Sequence, residues 1–72
     1  MKLFKCTNDR GTVTFIHPDS IIKIERLNTD YGSKSDIHLR HAMVTHVYDT
    51  RDPETLANQI NDECYNIKLL KS

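Results

Sequence analysis

A proline corner between two short apolar runs constrains this chain more than any other feature. Residues 15–25 have the sequence FIHPDSIIKIE, with the proline near the middle. Pro18 has no backbone N–H for a sheet ladder, and its ring disfavours a helical conformation at His17. Asp19 and Ser20 hydrogen-bond readily to their own local backbone, which favours a turn. The segment therefore predicts a strand, a sharp corner and a second strand.

Runs of β-branched and aromatic residues predict about five strands, arranged as a bent antiparallel meander. A turn cluster at Asn8–Gly11 joins the first two strands, and Gly11 can take a positive φ there. A long polar loop, residues 28–35, joins the third strand to the fourth. Whether the meander closes into a barrel stays open. The predicted strands are residues 2–7, 12–17, 21–27, 36–40 and 43–48.

The register between the fourth and fifth strands also stays open. A turn centred on residues 41–42 would place Leu39 opposite Val44 and Ile37 opposite His46. A slip of one residue would turn every side chain of the fifth strand to the opposite face, because strand side chains alternate.

A C-terminal helix is predicted to begin at Asp52-Pro53-Glu54. Asp52 is a favourable N-cap, Pro53 suits the first helical position, and Glu54 complements the positive end of the helix dipole. An apolar stripe at helical spacing should pack on one face of the sheet. The stripe consists of Leu56, Ile60, Cys64 and Ile67.

These elements predict a single α+β domain over residues 1–72, with the β-meander at 2–50 and the helix and tail at 52–70. Leu69 and Leu70 either extend the helix or pair elsewhere. The predicted core consists of Phe15, Ile22, Ile24, Ile37, Leu39, Leu56 and Ile60.

Charge and cysteine content narrow the class of protein. Ten basic and ten acidic residues give a formal net charge of zero, whereas a general nucleic-acid binder is usually basic and a DNA mimic strongly acidic. The sequence has no apolar run long enough to span a bilayer, and residues 1–5 lack the apolar core of a signal peptide. We therefore expect a cytoplasmic protein with no membrane partner, in which Cys6 and Cys64 are reduced thiols.

The sequence shows no motif for catalysis or for cofactor binding. Gly11 and Gly32 each stand alone, so a glycine-rich phosphate loop is not predicted. Four histidines and two cysteines are zinc-ligand types, but no Cys-x-x-Cys or His-x-His spacing occurs. Across the strands we expect His38 to meet a residue such as Thr45 rather than His46. The prediction is a protein that is not an enzyme and holds neither a metal nor another cofactor.

The corner segment resembles a short block of a known family. Residues 15–25 are similar to the Asn-Pro-Asp-x-Ile-x-x-Ile block of FlbD-type proteins, which are small bacterial proteins linked to flagellar and swarming motility. The order of elements over residues 3–60 is similar too, with Ile37-His38-Leu39 in place of the family's Ile-x-Leu strand. His41-Ala42 stands where the family has Asn-Gly, and the loop before the fourth strand is longer. The resemblance implies this fold and a motility role, with no catalytic residues.

Candidate binding residues lie around the polar loop and the turn after the fourth strand. Exposed aromatic and arginine side chains are the usual anchors of protein contacts. The same side chains would serve as phosphate or base contacts in a ligand-binding protein. The candidates are Tyr31, Lys34, His38, Arg40, His41 and Tyr48.

The sequence favours a small non-enzymatic regulatory protein that binds another protein, either a bacterial FlbD-like regulator or a phage-encoded modulator of its host. A small core and exposed strand edges favour a homodimer or higher oligomer. The alternative is a small-ligand protein, in particular for a nucleotide, or a nucleic-acid-binding protein that acts as an oligomer.

Overall fold

The computed structural model describes residues 2–28, 30 and 32–65. It shows an α+β fold with five antiparallel strands and one C-terminal helix, as predicted. The strands are β1 (Phe4–Thr7), β2 (Val13–Ile16), β3 (Ile21–Arg26), β4 (Ser35–Leu39) and β5 (His46–Asp49). The helix α1 (Pro53–Ile60) continues into a π-helical turn (Asn61–Tyr65), and a 3-10 turn (Pro18–Ser20) precedes β3. Ile67, Leu69 and Leu70 lie outside the described residues.

The strands form two sheets, and within the described residues they do not close into a barrel. β1 and β2 make a hairpin, and β3, β4 and β5 make a three-stranded sheet with β4 in the centre. The hairpin turn is held by the Asn8 side chain, which accepts hydrogen bonds from the amides of Arg10 (2.9 Å) and Thr12 (3.0 Å). Gly11 has φ +82°, so the prediction of a positive φ is confirmed.

The proline corner is confirmed as well. His17 is extended, the 3-10 turn begins at Pro18, and the Ser20 amide donates to the His17 carbonyl at 2.9 Å. Pro18 is buried. The corner therefore carries the chain from the hairpin directly into the three-stranded sheet.

A β-bulge at the start of β3 contradicts the predicted core position of Ile22. Ile21 pairs with Leu39 and Lys23 with His38, so Ile22 is one extra residue on β3. The extra residue shifts the alternation. Ile21 and Ile24 consequently pack against the core, while Ile22 is 60% exposed.

The core lies between the two sheets and the helix. Phe15 was wrongly placed in it: this side chain is 59% exposed, because the alternation of β2 turns Ile16 inward. Ile37, Leu39, Leu56 and Ile60 are buried as predicted, and Ile24 is partly buried. The buried apolar cluster consists of Phe4, Cys6, Ile16, Ile37, Leu39, Val47, Leu56 and Ile60.

The helix begins as the sequence predicts. The Asp52 carboxylate accepts a hydrogen bond from the Glu54 amide at 3.0 Å, and Pro53 is the first helical residue. The hydroxyl of Tyr65 donates to Asp19 at 2.9 Å, which ties the end of the π-helical turn to the proline corner. No helix in the described part of the chain has the length and apolar character needed to cross a bilayer.

Candidate functional site

A polar cluster lies on the outer face of the three-stranded sheet, opposite the core. Strand alternation brings the side chains of three adjacent strands together there. The register puts His38 opposite both Lys23 and His46, and Asp36 opposite both Glu25 and Tyr48. The predicted separation of His38 from His46 is therefore wrong. We define the outer-face cluster as Glu25, Asp36, His38 and His46.

Two imidazoles and two carboxylates of this cluster are in contact. The Nδ1 atom of His46 lies 3.1 Å from Oδ1 of Asp36. The Nε2 atom of His38 lies 2.7 Å from Oε1 of Glu25 and 3.3 Å from Oδ2 of Asp36. The two imidazole rings are 4.3 Å apart between centroids, with planes inclined at 60°.

The central strand supplies the two least exposed members of the outer-face cluster. Asp36 and His38 are two residues apart on β4, so they share one face, and their side chains are only 12% and 19% exposed. Glu25 and His46 come from the flanking strands and are about half exposed. Nitrogen and oxygen donors thus converge at a site that is open to solvent on one side.

An apolar groove lies elsewhere, between β2 and the β4–β5 connection. Its accessible volume is about 180 Å³. Phe15 and Val44 both line it, and each is about 60% exposed. The neighbouring Met43 is fully exposed but does not line the groove. The groove is lined by Thr14, Phe15, Ile16, His17, Ser20, Leu39, His41, Ala42, Val44 and Val47.

The strand that lines this groove also has an unpaired edge. Among the described residues β2 has one ladder partner, β1. Directly after β5, the Thr50 amide donates a hydrogen bond to the Thr7 carbonyl of the hairpin at 3.1 Å. Unpaired backbone N–H and C=O groups of a strand edge are ready to pair with another chain.

The predicted binding residues do not form one surface. Lys34 borders an open polar hollow at the start of β4, together with Arg26, Asp30 and Asp52. Arg40 and His41 follow the opposite end of that strand. The Arg40 guanidinium donates to the Asp19 carbonyl at 3.3 Å, and His41 lines the apolar groove with φ +55°.

The two remaining described candidates, His38 and Tyr48, lie on the outer face of the sheet. Tyr31 lies outside the described residues. Whether any of the six candidates contacts a ligand or partner stays a prediction.

Sequence reasoning missed three members of the outer-face cluster. The Asp36-x-His38 spacing was a usable signal, because residues two apart on a strand share a face. His46 could not be added without the β4–β5 register. Glu25 required the β3–β4 register, which pairs it with Asp36 and which the sequence does not fix.

A buried ion pair holds β1, β5 and the helix together beside these sites. The Asp49 carboxylate is completely buried and accepts hydrogen bonds from the Arg51 amide, Nε and Nη2, each at 2.8 Å, and from the Thr7 amide at 3.0 Å. Arg51 also donates to the Lys5 carbonyl and the Gln59 side chain. Burial alone would raise the pKa of Asp49, but these hydrogen bonds outweigh it, so the pKa lies below its ordinary value.

Comparison with family models, curated proteins and solved structures finds no match to this chain. The resemblance to FlbD-type proteins therefore stays a prediction.

Proposed function

We propose that this chain is a non-enzymatic binding protein that takes up an extended segment of a partner protein in the apolar groove. The observation that carries the proposal is the coincidence of an unpaired strand edge with exposed apolar side chains. β2 supplies both features, because in the part of the chain that the structure describes it has a single ladder partner, and it presents Phe15 to solvent.

The apolar side chains around the groove favour a macromolecular partner. Phe15 and Val44 both line the groove and are exposed, whereas Leu39 and Val47, which also line it, are buried. Solvent exposure of such large side chains costs free energy that a partner recovers when it covers them. Apolar and aromatic anchors at the centre of a contact supply most of its binding energy.

The size of the groove favours a side chain over a whole small ligand. Its volume of about 180 Å³ is below the roughly 300–1,000 Å³ typical of small-molecule sites. It suits one large apolar side chain of an extended peptide. Addition of that peptide to the edge of β2 would supply backbone hydrogen bonds, while the groove would select the side chain.

The polar surfaces give less support to the nucleotide or nucleic-acid alternative. In the hollow beside Lys34, acidic Asp30 and Asp52 alternate with basic Arg26. Arg26 is already hydrogen bonded to Asp52, and this bond lowers the pKa of the Asp52 carboxyl. A phosphate group placed there would meet two carboxylates, so a mixed-charge surface is the simpler interpretation.

Binding of a protein segment is compatible with the regulatory role that the FlbD resemblance implies. A cytoplasmic location remains part of this proposal, and the two free thiols support it. Self-association through the same unpaired edges remains the alternative use of the groove.

The test uses a library of random displayed peptides, selected against the folded protein. We expect selected peptides to share a large apolar residue and to shift the amide NMR signals of residues 14–17. Val44→Asp should weaken binding of a selected peptide at least about tenfold, or 1.4 kcal/mol. Met43→Asp is the matched control, because Met43 is adjacent and exposed but lies outside the groove.

Three results would overturn the proposal. One is a selection that yields no peptide, and another is a signal change confined to the outer face of the sheet. The third is concentration-dependent self-association in light scattering that Val44→Asp abolishes, since this would assign the groove to a second copy of the chain.

A further inference from the structure

The outer-face cluster has the donor set of a transition-metal site. His38 and His46 offer imidazole nitrogens, and Asp36 lies between them. One ligand atom from each of these three residues lies within 4.8 Å of the other two. Imidazole donors favour zinc and its first-row neighbours, whereas magnesium and calcium prefer sites made of oxygen donors alone.

The spacing of the donors fits a small tetrahedral ion. Two ligands bound about 2.1 Å from zinc at the tetrahedral angle are about 3.4 Å apart. The Oδ2 atom of Asp36 lies 3.2 Å from Nδ1 of His46 and 3.3 Å from Nε2 of His38. Small side-chain rotations are enough to bring these donors to metal-binding distance, because β4 and β5 fix the backbones of all three residues.

The His38 ring provides an independent observation. Its Nε2 atom is buried, and among the described residues it has no hydrogen-bond partner of acceptable geometry. The carboxylates of Glu25 and Asp36 lie close to this nitrogen, but neither is oriented to accept a hydrogen bond from it. A buried nitrogen without such a partner is costly, and a bound cation would satisfy it.

The two carboxylates provide a second observation. Glu25 and Asp36 are directly opposite each other on β3 and β4. Like charges in directly opposite positions destabilise a sheet. The basic neighbour Lys23 is 3.6 Å from Glu25 but is largely exposed, so water screens its charge. A divalent cation between the carboxylates and imidazoles would compensate both negative charges.

We propose that Asp36, His38 Nε2 and His46 Nδ1 bind one first-row divalent metal ion of the zinc class, with Glu25 as the fourth ligand. Glu25 is half exposed and can withdraw from its 2.7 Å contact with His38 to the longer ligand spacing. Such an ion joins all three strands of the sheet. This site is separate from the apolar groove, so metal binding here does not depend on the proposed peptide binding.

The test is isothermal titration of the metal-free protein with zinc chloride, alongside thermal unfolding with and without zinc. We expect one equivalent to bind and to raise Tm, because a ligand of the native state stabilises it. Cobalt should give the visible absorption spectrum of a four-coordinate site. His46→Gln should weaken zinc binding more than about 100-fold, since even the outer partners of metal ligands contribute 10–100-fold.

Two matched controls distinguish this site from adventitious binding. His41→Gln removes an exposed histidine outside the outer-face cluster, and Cys64→Ser removes a half-buried thiol. Both variants should bind zinc as the parent protein does. The proposal is overturned if the parent protein shows no zinc-dependent change in Tm. It is also overturned if His46→Gln binds as tightly as the parent, or if His41→Gln or Cys64→Ser loses zinc to the same extent as His46→Gln.

Discussion

The Asp49–Arg51 pair offers the strongest test of how this small fold is stabilised. Asp49→Asn keeps the shape of the side chain but removes its charge. Four donor groups point at the carboxylate, three of them from Arg51, and Asp49 is completely buried. The amide of the variant must place its NH₂ group against donors. The change therefore removes hydrogen bonds and leaves the Arg51 charge without its partner.

The size of the effect follows from the burial of the two side chains. Removing one member of a buried ion pair costs about 3–5 kcal/mol. The Arg51 side chain is 29% exposed, so water screens part of its charge and we expect a loss of about 2–4 kcal/mol. A domain of this length has a free energy of unfolding of roughly 4–11 kcal/mol. A loss of about 3 kcal/mol would lower Tm by about 12–24 °C.

The assay is urea unfolding at pH 7, followed by far-ultraviolet circular dichroism. Asp62→Asn is the matched control, because Asp62 is exposed on the π-helical turn, and it should change stability by less than about 0.5 kcal/mol. A loss below about 1 kcal/mol for Asp49→Asn, similar to that of the control, would refute the account of this ion pair as a principal stabilising contact.

The same pair makes a pH prediction with a definite sign. The pKa of Asp49 in the folded protein lies below its ordinary value of 3.8. A group with a lowered pKa contributes stability that is fully present above the unfolded value and is lost as the pH falls through the folded pKa. The parent protein should therefore lose stability steeply below pH 3.8, and Asp49→Asn should lose less over that interval.

Two further predictions concern the core. Burial, reinforced by the nearby Asp49 carboxylate, raises the pKa of the Cys6 thiol to about 12. A thiol reagent at neutral pH should therefore label Cys64 first and Cys6 only when the protein unfolds. Equal labelling rates for the two thiols would contradict the buried position of Cys6. Ile37→Val should cost about 0.5–1.5 kcal/mol in urea unfolding, because Ile37 is fully buried. Ile22→Val should have almost no effect, since the bulge exposes Ile22, and equal losses for the two variants would contradict the observed register of β3.

Local chemistry made much of the fold predictable from the sequence. Pro18 forces a corner, Gly11 permits a positive φ, and Asp52-Pro53 caps a helix, whatever the rest of the chain does. Each of these features depends on residues within a few positions of one another. The corner, the first hairpin turn and the start of the helix follow from them, and the structure confirms all three.

The wrong core predictions fall on strands in which a shift of one residue decides which side chains are buried. Ile22 was assigned to the core because strict alternation was assumed, but the bulge breaks that alternation. The prediction also places Phe15 in the core, yet alternation buries its neighbour Ile16 instead. Hydrophobicity alone could not predict either result, because both faces of these strands carry apolar residues.

The β4–β5 register links the two proposed sites. The pairing of Ile37 with Val47 buries Val47 beneath the apolar groove, and by alternation it also brings His46 opposite His38 on the outer face. A slip of one residue would move His46 into the core and Val47 into solvent. The outer-face cluster would then lose His46, and the apolar groove would lose Val47. A metal ion held by Asp36, His38 and His46 would oppose such a slip, because its ligands come from both strands. The outer-face cluster would then stabilise the register on which the groove depends, even though the two sites bind different partners.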